Sequence, residues 1–291
     1  MKIVFALMAL GVGLYAICGT IDYLVVTKLP LSAAIVSIGI GILIGFIAVK
    51  FIFKLKVKAE SKQQYAFGAI TALMIIAYTI PLLIAYKSYT LASIYPLIGL
   101  SAIVFFVIDL IKYRRFLTSR QTTIMLTGIL LVVIGIFFAE SNGYGFQIGT
   151  IPFVLLITLF GGIGYYMEFY KLNKYSIGTK MLFQPIFLII AVMFIGGPIF
   201  ISSSYFAFGI LGGIAFSFAS VMELHAMELT KTTGTANIVI KRNFINDFEY
   251  LDTLLVLIGS IIIGSFYPIE IFGGVLMLTG IIIISRLSDD K

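Results

Sequence analysis

The sequence contains few of the residues that build disulfides, metal sites or a water-exposed surface. It has one cysteine (Cys18), one histidine (His225) and no tryptophan. These counts exclude a disulfide framework and a metal site made from a cluster of cysteines and histidines. Charged residues make up only 11% of the 291 residues, whereas they make up about 25% of a soluble globular domain. The chain therefore has too little polar surface for a soluble enzyme or a disordered protein.

Long apolar segments dominate the chain instead. Hydrophobic residues make up 60% of it, and its mean hydropathy is +1.12. A helix needs about 20 apolar residues to cross a bilayer, so the sequence predicts an all-α integral membrane protein with ten transmembrane helices. The first apolar run is too long for the hydrophobic region of a cleaved signal peptide. The predicted spans are Ile3–Val26, Leu31–Phe53, Tyr65–Tyr86, Thr90–Ile111, Thr122–Ala139, Gly149–Tyr170, Ile177–Ile199, Tyr205–Leu229, Thr235–Ile263 and Ile269–Ile284.

The basic residues are distributed unevenly between the two predicted sides of the membrane. If the N-terminus lies inside, 16 of the 20 basic residues fall in inner loops or at the termini, with Lys180 counted among them. Only Lys28 and Lys87 fall in outer loops. This asymmetry predicts that both termini lie in the cytoplasm. We expect a multi-pass protein of the cell (plasma) membrane. It also explains the net charge of +7 without a nucleic-acid partner.

An internal repeat divides the chain at the polar loop Glu140–Phe146. We expect a first five-helix repeat over residues 1–145 and a second over residues 146–291. Because each repeat contains an odd number of spans, the second repeat must be inverted relative to the first, as in many secondary transporters. Two glycine pairs recur at an interval of 145 residues, namely Gly128 with Gly135 and Gly273 with Gly280.

Short motifs in both halves carry a family resemblance. They are Ala92–Leu97 at the start of span four, Gln121–Gly128 with Gly135 in span five, and Gly264–Pro268 leading into Gly273, Gly274 and Gly280. This pattern resembles the drug/metabolite transporter superfamily, in particular its EamA-like ten-helix carriers. The resemblance implies two five-helix bundles, a central cavity, and movement of small metabolites that is often directed outward.

Span nine is unusually polar for a segment that the repeat places inside the bilayer. Seven polar side chains fall within 12 residues, and each uncompensated charge costs at least about 2.5–3.5 kcal/mol at mid-membrane. Arg242, Asn246 and Glu249 follow helical spacing and therefore share one face. Such a polar stripe is typical of a helix that lines a water-filled cavity. The seven residues are Lys241, Arg242, Asn243, Asn246, Asp247, Glu249 and Asp252.

We predict the functional site from this stripe and from Glu223, which a hairpin of spans eight and nine places at the depth of Lys241 and Arg242. A site of mixed charge suits a zwitterion such as an amino acid, or a phosphorylated metabolite. No metal and no cofactor are expected. The predicted substrate-binding residues are Lys241, Arg242, Asn243, Asn246, Tyr250 and Tyr95, and the predicted proton- or ion-coupling residues are Glu223, Asp247 and Glu249.

Other interpretations of the polar residues stay open at this point. Residues 234–250 are also compatible with an amphipathic helix on the inner surface. Alternatively, the charges of span nine form a structural network of ion pairs inside the bilayer. Asp22, Asp109 and Glu168 lie near predicted helix ends and are expected to reach interfacial water or to cap positive neighbours. Asp22, at the outer mouth near Lys28 and Lys87, is also a candidate for gating or coupling. A further set of side chains is a candidate for lining an aromatic cavity: Tyr78, Tyr95, Tyr165 and Tyr166.

The sequence thus predicts a secondary active transporter, with export as the expected direction, that moves small polar metabolites by alternating access. An enzyme is not expected, because the chain has no H-E-x-x-H motif and no nucleophile paired with a base at helical spacing. The expected partners are a small-molecule solute and membrane lipid, and a homodimer is left open. The alternatives are a lipid-phosphate flippase of the same fold and a non-transporting membrane subunit.

Overall fold

The computed structural model describes residues 2–54, 61–101, 103–104, 107–108, 111, 118–139, 149, 151–170, 174–232 and 238–286. These residues form α-helices and one 3-10 helix, and they contain no β-strand. The helices are α1 (Lys2–Lys28), α2 (Leu31–Ile52), α3 (Lys62–Ala85), α4 (Leu91–Ile94), the 3-10 helix (Tyr95–Leu100), α5 (Ser119–Ala139), α6 (Ile151–Tyr170), α7 (Lys174–Ile195), α8 (Ser204–Thr232), α9 (Ile238–Ile262) and α10 (Pro268–Arg286).

The distribution of polar and apolar side chains is that of a helical multi-pass membrane protein. Seven of the described helices are long and apolar enough to cross a bilayer, and three shorter apolar segments accompany them. Large apolar side chains cover the outside, with Phe51 74% and Phe194 87% exposed. Some charged side chains within the helices are buried instead, with Lys180 2% and Glu168 4% exposed. Lipid-facing helices require this arrangement, because polar groups are costly in hydrocarbon.

The described helices follow the predicted spans in order, with one local difference in span four. That segment begins with the single turn α4 and continues as the 3-10 helix Tyr95–Leu100. Pro96 explains the change, because proline has no N–H for the α-helical hydrogen bond and its ring clashes with the carbonyl four residues earlier. In contrast, α9 runs without interruption from Ile238 to Ile262.

The most extensive helix contacts join the first half of the chain to the second. α1 packs against α8 and α3 against α6, while α2 packs against α8 and α3 against α7. Here α4 and the 3-10 helix together count as the fourth helix. When each helix is exchanged for the one five positions away, the α1–α8 contact becomes the α3–α6 contact. In the same way, the α2–α8 contact becomes the α3–α7 contact. The α2–α7 and α5–α10 contacts are converted into themselves. The pattern of contacts between the two halves is therefore preserved when the halves are exchanged.

The repeated glycines lie opposite one another where α5 crosses α10. A Cβ atom added at Gly128 would lie 2.9 Å from the carbonyl oxygen of Gly280, and one added at Gly135 would lie 2.7 Å from that of Gly273. Both distances are shorter than van der Waals contact, so only glycine permits this approach of the two backbones. The sequence repeat of these glycines therefore corresponds to one helix crossing.

Candidate functional site

A central cavity of about 90 Å³ follows one face of α1. Five lining residues of this helix, Met8, Val12, Tyr15, Gly19 and Asp22, are spaced three or four positions apart. They therefore form a single stripe, which extends about 21 Å along the helix at 1.5 Å per residue. This length is a large part of the roughly 30 Å of hydrocarbon core that a spanning helix crosses.

Helices of both halves complete the wall of the cavity. The first half contributes residues of α1, α3 and the 3-10 helix, and the second half contributes residues of α6, α7, α8 and α9. The polar lining side chains are tyrosines and carboxylates together with one lysine, one threonine and one cysteine. They are Tyr15, Cys18, Asp22, Tyr78, Thr79, Tyr86, Tyr95, Tyr165, Glu168, Lys180, Glu223 and Asp252.

Tyr95 connects the 3-10 helix to α9 inside this cavity. Its hydroxyl donates a hydrogen bond of 2.8 Å to Oδ2 of Asp252. Gly19 of α1 makes room for the ring, because a Cβ atom at that position would lie 2.5 Å from Cε2 of Tyr95. The start of the segment is fixed to α10, since the hydroxyl of Thr90 donates to Glu270 over 2.8 Å. Tyr95, a predicted substrate-binding residue, thus lies at the cavity wall.

Asp22 lies at one end of the cavity. Its Oδ2 accepts a hydrogen bond of 3.4 Å from Sγ of Cys18, one turn earlier on α1. Its Oδ1 is shielded from solvent and has no hydrogen-bond partner among the described residues, and the same holds for Oδ1 of Asp252. Tyr86 is 1% exposed, and its hydroxyl also has no partner among these residues.

A second polar cluster occupies the other end of the cavity. Lys180 of α7 forms an ion pair with Glu168 of α6, and both side chains are almost completely buried. Glu223 of α8 lies within electrostatic range of Lys180 and next to Tyr15. The hydroxyl of Tyr15 is also 2.7 Å from that of Ser220. Glu223, a predicted coupling residue, is therefore in contact with the cavity.

The structure corrects three expectations about charged residues. Glu168 is buried in an ion pair rather than placed in interfacial water, and Lys180 lies inside α7 rather than in a loop. Glu168 stands in the last turn of α6 and Lys180 in the second turn of α7, so the ion pair joins neighbouring ends of these helices. Asp22 lines the central cavity rather than reaching water at the membrane surface.

The remaining predicted site residues have different outcomes. Tyr250 is buried, with 6% of its surface exposed, and is not a wall residue of the central cavity. Tyr78 and Tyr165 line the cavity as expected of the aromatic set, whereas Tyr166 does not. The backbone of α9 is described, but several of its side chains lie outside the described part of the structure: Lys241, Arg242, Asn243, Asn246, Asp247 and Glu249. Asp109 also lies outside the described residues.

A second, more open pocket of about 280 Å³ lies beside the Asp22 end of the cavity. It is lined by residues that include Tyr23, Lys87 and Glu270. Tyr86 belongs to the walls of both spaces and packs edge-on against Tyr23, with 5.5 Å between the ring centroids. Lys87 donates a hydrogen bond to the carbonyl of Leu29, and partial burial lowers the pKa of its ammonium group.

Two sequence signals would have identified the residues that the prediction missed. Asp22 shares one helical face with Tyr15 and Met8, so its charge points to the same side of α1 as an aromatic and an apolar residue. Glu168 and Lys180 are opposite charges 12 positions apart across a turn, which places them side by side in a helical hairpin. Both signals are single charged residues in apolar helices. A charged residue at such a position is a reason to expect a functional site.

Chemically, the cavity offers carboxylate and phenol groups and the side chains of apolar residues. The described residues contain no group of three or more histidine, cysteine or acidic side chains that would hold a metal ion. The sequence matches no protein-family model and no curated protein. What the site does is therefore argued from its geometry.

Proposed function

We propose that the protein is a secondary active transporter that moves small polar metabolites by alternating access. The observation that carries this proposal is the central cavity, because its walls come from both halves of the chain and charged side chains of the apolar helices line it, among them the buried Glu168, Lys180 and Glu223. Polar side chains inside a membrane are costly and are kept where they line a solute or ion pathway.

The arrangement of the helices supports the same proposal. Contacts that interchange between the two halves favour two inverted five-helix repeats, residues 1–145 and 146–291, with ten spans in total. A solute site between such repeats becomes accessible to each side in turn when one repeat rocks against the other. The excess of basic residues in predicted inner loops supports a plasma-membrane protein with cytoplasmic termini. Export of amino acids or similar metabolites remains the proposed direction and solute range.

Solute exchange in reconstituted vesicles tests this function. Purified protein is first screened for ligands that raise its unfolding temperature, with amino acids, amines and phosphorylated metabolites as the panel. Each hit is then loaded into proteoliposomes, and uptake of the labelled solute against an internal pool is measured. We expect the internal solute to accelerate uptake, because a carrier that alternates between two faces exchanges solute faster than it returns unloaded.

Two variants test whether exchange depends on the cavity, and a parallel assay tests the alternative functions. Asp22→Asn, which neutralises a cavity carboxylate, is expected to slow exchange strongly, whereas Lys50→Gln, which neutralises an exposed charge of α2 outside the central cavity, should exchange normally. Scrambling of a fluorescent phospholipid without solute exchange would replace the proposal with a lipid flippase. Absence of both activities in folded protein would leave a non-transporting subunit.

A further inference from the structure

The charges around the central cavity are predominantly negative. Among the described wall residues there are four carboxylates and one cation, Lys180. That cation is already paired with Glu168 inside the wall. Among the described side chains, the carboxylates of Asp22 and Asp252 have no basic partner, and Glu223 has only Lys180, which it shares with Glu168.

Several polar atoms at the Asp22 end of the cavity lack partners. Oδ1 of Asp22, Oδ1 of Asp252 and the hydroxyl of Tyr86 have no hydrogen-bond partner among the described residues, although each atom is shielded from solvent. Asp22 and Asp252 both lie within electrostatic range of Cys18 and of Tyr86, so the three orphaned atoms have neighbours in common; Asp252 also lies within range of Glu223. A buried polar group without a partner costs stability, and a ligand that donates hydrogen bonds would remove that cost.

Aromatic rings surround the same space. Five tyrosines and Phe216 line the cavity, and two of the tyrosines, Tyr86 and Tyr95, lie at the end that holds Asp22 and Asp252. Aromatic faces attract ammonium groups, and they do so most strongly where water is excluded. A metal ion such as sodium prefers a shell of oxygen ligands and gains little from rings. The combination of carboxylates with aromatic walls therefore favours an alkylated ammonium group over an inorganic ion.

We propose that the central cavity binds a small organic cation, with its ammonium group between Asp22, Asp252 and the aromatic ring of Tyr86. This inference rests on the proposed transport function and narrows its solute to molecules of net positive charge. A zwitterion would also bring a carboxylate into the cavity, where the one cation of the described walls is already occupied by Glu168. We therefore expect net charge to decide which solutes bind.

Binding of three molecules of nearly equal size tests the proposal. Choline carries a net positive charge, glycine betaine carries the same trimethylammonium group with a carboxylate, and the alcohol in which carbon replaces the choline nitrogen is uncharged. Equilibrium binding to purified protein in detergent is measured by calorimetry, with tetramethylammonium and sodium as additional probes. We expect choline or tetramethylammonium to bind at least about tenfold more tightly than the betaine and the uncharged alcohol.

Variants locate the binding to this end of the cavity. Asp22→Asn and Asp252→Asn should each weaken choline binding by about tenfold or more, since each removes one negative charge near the ammonium group. Lys50→Gln, which neutralises an exposed charge of α2 outside the cavity, should leave binding unchanged. If a variant fails to fold, the unmodified protein still gives an answer, because bound choline should slow alkylation of Cys18, which lines the same cavity.

Each outcome has a defined consequence. Equal binding of all three molecules, tighter binding of the betaine, or binding of sodium alone would overturn the proposal. Because binding in detergent does not require transport, the two proposals fail separately. Choline that binds but is never exchanged across a vesicle membrane would contradict the transporter and leave the cation site standing. Exchange of an amino acid without any cation binding would support the transporter and contradict the cation site.

Discussion

The crossing of α5 and α10 depends on the absence of a side chain at Gly135. A Cβ atom there would lie 2.7 Å from the carbonyl oxygen of Gly273 and 2.6 Å from the amide nitrogen of Met277, whereas ordinary contact begins near 3.4 Å. Because both atoms belong to the backbone, the helices would have to separate by about 0.8 Å. Overpacking of this kind costs about 1–3 kcal/mol, and the loss exceeds the roughly 0.5–1 kcal/mol that alanine gains over glycine inside a helix.

Gly135→Ala should therefore destabilise the protein, and Gly13→Ala provides the matched control. Gly13 also lies inside a helix, α1, but a Cβ atom added there would meet nothing within 4 Å. Thermal unfolding of the two variants in one detergent should show a lower Tm for Gly135→Ala and an equal or higher Tm for Gly13→Ala. If both variants unfold at the temperature of the parent protein, the close approach of α5 and α10 is refuted.

Three further predictions concern buried polar groups. Lys180→Met should lower the free energy of unfolding by about 3–5 kcal/mol, because it leaves the Glu168 carboxylate unpaired. The double variant that also carries Glu168→Met should recover most of that loss. Equal losses in the single and the double variant, measured by chemical unfolding, would contradict the ion pair. Gln184→Met should raise the Tm, since the amide of Gln184 is buried and neither of its polar atoms has a partner among the described residues; a lowered Tm would oppose this. Tyr95→Phe should lose about 1.5–3 kcal/mol of stability with its hydrogen bond to Asp252, and an unchanged unfolding curve would contradict that bond.

Much of the fold follows from the sequence because lipid imposes simple rules. Apolar runs of spanning length predict helices, and the observed α2 (Leu31–Ile52) ends one residue before the predicted boundary. Spacing alone identified Gly128 and Gly135 as equivalents of Gly273 and Gly280, which the structure places at one crossing. The change to a 3-10 helix at Pro96 was not predicted, since a kink and a tightened turn have the same sequence signal.

The site was harder to predict, because its residues come from seven helical segments that sequence order does not bring together. Tyr95 was chosen from the motif of span four and the aromatic candidates, and Glu223 from its depth in the predicted hairpin; both line the central cavity. Asp22 was assigned to interfacial water because its distance from a helix end does not reveal which neighbours cover it. Asp252 was noted in the polar stripe of span nine but not chosen, since only the three-dimensional structure brings it to Tyr95.

Accessibility of Cys18 tests alternating access most directly. Cys18 is the sole cysteine of the chain, lines the central cavity and is 4% exposed. A membrane-impermeant maleimide is applied to right-side-out and to inside-out vesicles, with and without a solute that the protein exchanges, and Cys18→Ser gives the background. The account predicts labelling that favours one side of the membrane and shifts in rate when the solute is added. Equal labelling from both sides at once, or a thiol that stays unreactive from both sides under every condition, would contradict it.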